Sequence, residues 1–190
     1  VLFRSFSQEE LGRLVETCYG RFRRAAPAWK GKKFQGFGNG PSLGKVVEAK
    51  LDVGPGIRAI CNSTIGDEAA LTHLKPTLLF CGDPVQHAGA SLYAGRFRAD
   101  LARAMADPGR YLITQLGYVP YFNEVLPADA HARVIGIGND RRPKFNVDLE
   151  AEFITAATAN IFTMLVLPVA FTISSQVDIF GCEDRKSTRL

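Results

Sequence analysis

Residues 34–43, FQGFGNGPSL, are the part of the sequence whose residue types and spacing best suit a chemical task. An apolar run gives way to Gly38, Asn39, Gly40, Pro41, Ser42 and Leu43, the pattern of a β-strand entering a tight turn before a helix. Gly38 and Gly40 carry no Cβ, so backbone N–H groups there can approach an anion, and Pro41 suits a first helical turn. Ser42 and the N–H groups of the following helix would face the same point, with the helix dipole adding to the attraction. The Asn39 amide can bind a ribose hydroxyl or a base edge. The turn is not a Walker loop, because no Gly-Lys-Ser/Thr follows, and it is not the dinucleotide fingerprint, because Leu43 stands where that pattern needs glycine. A glycine-rich turn without a ligand is the alternative reading.

Further polar residues end other apolar runs. Asn62 and Ser63 follow IRAIC, and Asp83, Pro84 and His87 follow TLLFC. His87 could serve as a general base or as a hydrogen-bond partner, since an imidazole needs little adjustment to work near neutral pH. His73 and His131 sit in a helix end and a loop and read as structural or solvated. Tyr118, Tyr121 and Asn123 lie in GYVPYFN, where a tyrosine hydroxyl could stabilise a departing phosphate; the alternative is a packed aromatic turn around Pro120. Asp83 has no second carboxylate at D-x-D spacing, so no metal site is expected. Arg141 and Arg142, beside Asn139 and Asp140, form a loop able to reach an acidic group or remain solvated.

The elements that must position these residues follow from periodicity. Ser7 and Glu10 form a capping box at the start of a helix with an apolar stripe of Leu11, Leu14, Val15 and Cys18. Strands are expected from Phe34 into the glycine turn and at 57–61, 77–81, 111–114, 134–137 and 177–180, with helices at 43–50 and 91–106 and a small helix closed by 71–74. Strands separated by helices imply an α/β fold: an open, mostly parallel Rossmann-like sheet with flanking helices in a single domain. In such sheets ligands bind beyond the strands' carboxyl ends, where Asn39, Asn62, Ser63, Asp83 and His87 would converge. The uncharged stretch 153–176 is long enough to cross a hydrocarbon core of ~30 Å, but its threonines, Asn160 and Pro168 favour a buried helix against the sheet, kinked or shortened at Pro168.

We divide the chain into an N-terminal helix and basic segment (1–32), a nucleotide-binding domain (33–182) and a tail (183–190). Residues 1–5 lack Met, and the tail is polar and charged, so the ends are expected to carry residues foreign to the fold, and the domain to be truncated at its C-terminus. A chain of 190 residues with net charge +4 suits an anionic small molecule as well as it suits nucleic acid. The basic run of Arg21, Arg23, Arg24, Lys30, Lys32 and Lys33 reads as a solvated face rather than a nucleic-acid or membrane-surface patch. Four scattered cysteines, Cys18, Cys61, Cys81 and Cys182, indicate neither zinc nor a disulfide framework; they read as small buried hydrophobes in a reducing compartment.

GNGPSL at 38–43, the strand ending Cys61-Asn62-Ser63, and Thr158-Ala159-Asn160 before an apolar helix and the strand VDIFGC resemble the nucleotide-binding frame of the glycosyltransferase family 42 sialyltransferases. The related motility-accessory glycosyltransferases and 6-hydroxymethylpterin pyrophosphokinase-like proteins share that frame. The resemblance spans residues 34–182 in three patches, of which GNGPSL is the distinctive one. It implies a bacterial glycan-biosynthesis enzyme that transfers a sialic-acid-like sugar from a CMP-sugar donor to a glycan acceptor. Such an enzyme would need no cofactor and would work in the cytoplasm or at the inner face of the membrane. The resemblance also implies that Thr158, Ala159 and Asn160 supply a second set of N–H donors for the phosphate. The family's base is a His shortly before the late helix; residues 144–157 contain none and offer Asp148, Glu150 and Glu152 instead. The alternatives are pyrophosphokinase-like phosphoryl transfer, which would need Mg²⁺, and a non-catalytic nucleotide-binding module.

Overall fold

The structure is a computed structural model and describes residues 6–141 and 144–182. Arg142 and the tail 183–190 lie outside the described residues. Among the described residues seven parallel strands form one sheet: β1 (Phe34–Phe37), β2 (Ile57–Cys61), β3 (Leu78–Phe80), β4 (Tyr111–Gln115), β5 (Val134–Asp140), β6 (Ile154–Ala156) and β7 (Val177–Phe180). Their spatial order is β6-β5-β4-β3-β2-β1-β7. The first six strands step one way across the sheet, and the seventh returns to the far side of β1.

Strand alternation sorts the apolar residues onto two faces. Phe37, Ile60, Leu79, Leu112 and Val134 pack on one face with α2 (Pro41–Glu48), α3 (Glu68–Leu74), α5 (Leu92–Met105) and α6 (Val119–Val125). Phe34, Ala59, Leu78, Phe80, Ile113 and Ile135 pack on the other with Trp29, Leu165, Val169 and Ile173. Parallel crossovers are right-handed, so steps in one direction place their helices on one face and the return step places its helix on the other. The return helix is α7 (Leu167–Ile173).

α1 (Gln8–Ala25) begins with the expected capping box: Ser7 Oγ accepts from the Glu10 N–H, and the Glu10 carboxylate accepts from the Ser7 N–H. It lies along the edge of β5 and contributes Cys18 to one core and Phe22 and Ala25 to the other. The division of that edge is set by strand register. The Val134 carbonyl accepts from the Arg21 guanidinium, at 2.7 Å, and the Gly136 backbone bonds the Cys18 thiol. Further along, Gly138 accepts from the Thr155 hydroxyl and Asp140 from the Ala157 N–H. Outward-pointing groups of one strand are thus taken first by a helix and then by β6, which seals most of an edge that would otherwise be open to strand addition.

The stretch 153–176 is not one helix. Ile154–Ala156 pairs with Gly138–Asp140 as β6, because β-branched Ile154 and Thr155 meet a strand edge left open beyond α1. Helix follows only after Asn160, and its first part, Phe162–Val166, is a π-turn in which the Leu167 N–H bonds the Phe162 carbonyl. Pro168 explains this geometry: its ring collides with the carbonyl four residues back in a regular helix, and the wider turn relieves the collision. The expected kink is therefore a local widening.

Gly136 marks the tightest packing on the first face, since a Cβ there would stand 2.4 Å from Val119 Cγ2 and 2.8 Å from Leu116 Cα. The second of these is backbone and cannot swing away. Gly136→Val is expected to lower stability by about 1–3 kcal/mol or more, read as a fall in urea midpoint at unchanged slope.

Candidate functional site

The carboxyl ends of the strands open into a crevice with two adjoining parts. The larger, about 670 Å³, is floored by Gly38, Asn39, Gly40 and Gly181 and walled by Asn62, Asn160 and Phe162. The smaller, about 350 Å³, holds Asp83, Gln115, Tyr118, Asn139, Thr158 and Met164. Asn62, Ala159 and Ile161 line both and form the divide. Neither lining contains Lys, Arg or His among the described residues.

The glycine loop reaches the crevice, but its backbone is already engaged. The Gly38 N–H bonds the Phe180 carbonyl at 2.8 Å, and the Gly40 N–H bonds the Gly181 carbonyl at 2.7 Å. Ser42 Oγ accepts from the Gly181 N–H at 3.0 Å. The loops after β1 and β7 are stitched together, so the glycines serve close backbone approach, and the N–H groups of Gly38 and Gly40 are not the phosphate donors expected of them. A Cβ on Gly38 would stand 2.3 Å from the Gly181 carbonyl oxygen, and Gly181 has φ +68°, which favours glycine. Pro41 opens α2 with Gly40 as its cap, and Leu43 turns into the core.

Side-chain amides supply the crevice's polar surface. The Asn39 amide donates to Ser63 Oγ at 3.3 Å, tying the β1 and β2 loops together. Asn62 has a left-handed backbone, φ 51°, and its buried Oδ1 has no hydrogen-bond partner. An unmatched buried carbonyl costs about 1–3 kcal/mol, so a donor on a ligand has something to gain there. Asn139 donates to Gln115 Oε1 at 2.8 Å, and Gln115 donates to the Gly82 carbonyl at 2.6 Å, linking the ends of β5, β4 and β3. Gln115 was not foreseen, because the final residue of a strand read as ending at Thr114 gives no warning that its amide bridges neighbours.

Asp83 and Tyr118 face the smaller part together. Asp83 Oδ1 caps α4 (Pro84–Ala88), accepting from the Val85 and Gln86 N–H groups, both at 2.8 Å. Burial raises the Tyr118 hydroxyl above its usual value, and the neighbouring Asp83 charge adds to that.

His87, in contrast, is not brought to the crevice. Its ring is 1% exposed and stacks on Phe97 at 4.1 Å. Nδ1 accepts from the Asp83 N–H, and Nε2 is buried without a partner. In this position the imidazole fixes the loop that carries Asp83, with no nitrogen placed to take a proton from a substrate. Burial pushes its pKa down to about 4, partly offset by the Asp83 charge. The unfolded chain therefore takes up this proton near pH 6.5 and the folded chain only near 4. The stabilisation from keeping His87 neutral is complete above pH 6.5 and is lost as pH falls to 4, on the order of 3 kcal/mol in all. His87→Asn keeps an acceptor for the Asp83 N–H without titrating, and should flatten the pH dependence of urea stability over that range.

Thr158, Ala159 and Asn160 are exposed at the mouth of both parts. Asn160 Oδ1 accepts from the Phe162 N–H, and Thr158 Oγ1 bonds Thr163 Oγ1 and the Asn160 carbonyl. The Phe162 N–H is thus spent on capping its own helix.

Other candidates lie elsewhere. Tyr121 packs on Phe122 in the core, and Asn123 Oδ1 is buried and unpartnered. His73 and His131 bond the Leu51 and Leu126 carbonyls. Asp148 caps a turn through the Glu150 and Ala151 N–H groups, and Glu150 pairs with Lys30 ahead of β1, so this carboxylate group belongs to the amino side of the sheet. Cys18, Cys61 and Cys81 are buried, as expected, and burial pushes the Cys61 thiol up to about 12. Cys182 departs from the expectation: it is exposed and lines the larger part. Among the described residues no three His, Cys, Asp or Glu side chains gather so as to hold a metal, and no helix is long and apolar enough to cross a membrane. No family model, curated protein or solved structure matches the chain.

Proposed function

We propose that the chain is a glycosyltransferase that takes a sialic-acid-like sugar from a CMP-sugar and passes it to a glycan hydroxyl, with Asp83 as the base. The observation that carries this reading is the Asp83 carboxylate beside the Tyr118 hydroxyl, in a cavity that opens directly onto a second one large enough for a nucleotide. Both cap bonds fall on Asp83 Oδ1, and Oδ2 has no bonding partner among the described residues. The nucleotide belongs over the glycine floor, within reach of Asn39, Asn62 and the Thr158–Asn160 opening. The sugar belongs beside Gln115 and Asn139.

In the reaction the acceptor oxygen forms a bond to the anomeric carbon as the bond from that carbon to the phosphate oxygen breaks. The electron pair of that bond leaves with CMP, and the acceptor's proton passes to Asp83. The Tyr118 hydroxyl can donate to charge developing nearby. A crevice lined largely by amides, with Asp83 as its carboxylate and no cationic side chain among the described residues that line it, suits a donor whose sugar and ribose offer many hydroxyls, with its single phosphate held by the dipole of the late helix.

Asp83→Asn tests the base, because its amide oxygen still caps α4 while the proton acceptor is gone. Transfer from CMP-sugar is expected to fall about a hundredfold or more, with melting temperature little changed. Full activity in this variant overturns the assignment. The donor half is tested by melting: CMP at about a hundred times its Kd should stabilise by about 2.7 kcal/mol. Gly38→Ala, whose methyl forces the β1 and β7 loops apart, should abolish that gain.

A further inference from the structure

A third cavity, about 460 Å³, continues from the smaller part of the crevice, with which it shares Gln115, Tyr118 and Asn139. Away from those residues its walls are apolar. Leu11 and Val15 stand four residues apart on one face of α1, and Leu116 and Ile154 come from the β4 loop and β6. Among the described residues no charged side chain lines it. Leu11 is 36% exposed even though it belongs to the apolar stripe of an amphipathic helix, so part of that stripe faces the groove rather than the core.

We infer that this groove receives an apolar aglycone carried by the acceptor, so that the acceptor is a glycoside with an alkyl or aryl tail rather than a free sugar. The inference rests on the transferase reading for the role of the neighbouring cavity. Continuity decides the occupant: a sugar hydroxyl held at Asp83 and Tyr118 leaves the rest of its molecule room to extend past Gln115 and Asn139, and the surface it then meets is Leu11, Val15, Leu116 and Ile154. The donor needs none of this space, because the nucleotide cavity opens on the opposite side of the Asn62 and Ile161 divide.

Octyl β-galactoside and methyl β-galactoside, both below micellar concentration, provide the test, with binding measured by calorimetry on the full chain. Each buried methylene is worth roughly fourfold in affinity, so a tail seated over even part of its length should give the octyl compound at least a tenfold advantage. Leu11→Gln changes a partly exposed position, leaving the fold intact, and should remove most of that advantage while methyl galactoside binding stays the same; Val15→Gln should act likewise. Equal binding of the two glycosides, or an octyl preference that survives both substitutions, overturns the inference. CMP release from a CMP-sugar in the presence of methyl β-galactoside as acceptor is measured separately. Its absence counts against the transferase reading, while the comparison of glycosides still decides the groove.

Discussion

The loops after β1 and β7 can touch only because neither Gly38 nor Gly181 has a side chain. Two N–H groups pass from the first loop to the second, and one returns to Ser42. This exchange holds the last strand beside the first and so closes the order β6-β5-β4-β3-β2-β1-β7 on its β7 side. It also lays the floor of the larger cavity, on which the late helix and the Asn62 loop converge. The return crossover, the two-faced core and the crevice all depend on that close approach, which explains why glycines that look like a phosphate cradle are occupied in binding protein.

One buried polar group without a partner lies within this crevice and another lies close behind it. Asn62 Oδ1 sits at the divide, and His87 Nε2 lies behind the loop that carries Asp83. Unmatched groups of this kind are normally few, and each costs free energy unless something else meets it. Around them the bonds are well made: Gln115 joins the ends of β3, β4 and β5, and Asp83 locks the start of α4. A rigid frame with an unmatched carbonyl, Asn62 Oδ1, at its centre is the arrangement expected where a ligand completes the hydrogen bonding.

Much of the fold could be read from the sequence because it follows from local rules. The capping box at Ser7 and Glu10, the strand at Ile57–Cys61 and the helix expected over 91–106, present as α5, depend on neighbours within a few residues. What could not be read depends on distant partners. β6 exists because α1 leaves half of the β5 edge open, a fact invisible within an uncharged stretch that suits a helix equally well. His87 follows Asp83 by a helical turn, which suggests a shared site, yet the stacking that buries it comes from Phe97 on another helix. The arrival of Asn39, Asn62 and Asp83 at one crevice was legible, since polar residues at strand ends in parallel sheets have only one place to go, whereas Ser63 lines neither part and reaches it only as the hydrogen-bond partner of Asn39.

The sealing of β5 by α1 has a further consequence, in the order of assembly. The Arg21 to Val134 bond spans 113 residues of chain, and the Gly181 to Ser42 bond spans 139. α1 carries its own cap and can coil as soon as it is made, but the strand it must cover is synthesised more than a hundred residues later. During translation its apolar stripe, Cys18 and Phe22 included, must wait without its native partner, in the interval when a nascent chain is most open to association with other proteins. The first of the described helices thus waits for one of the later strands before it is seated.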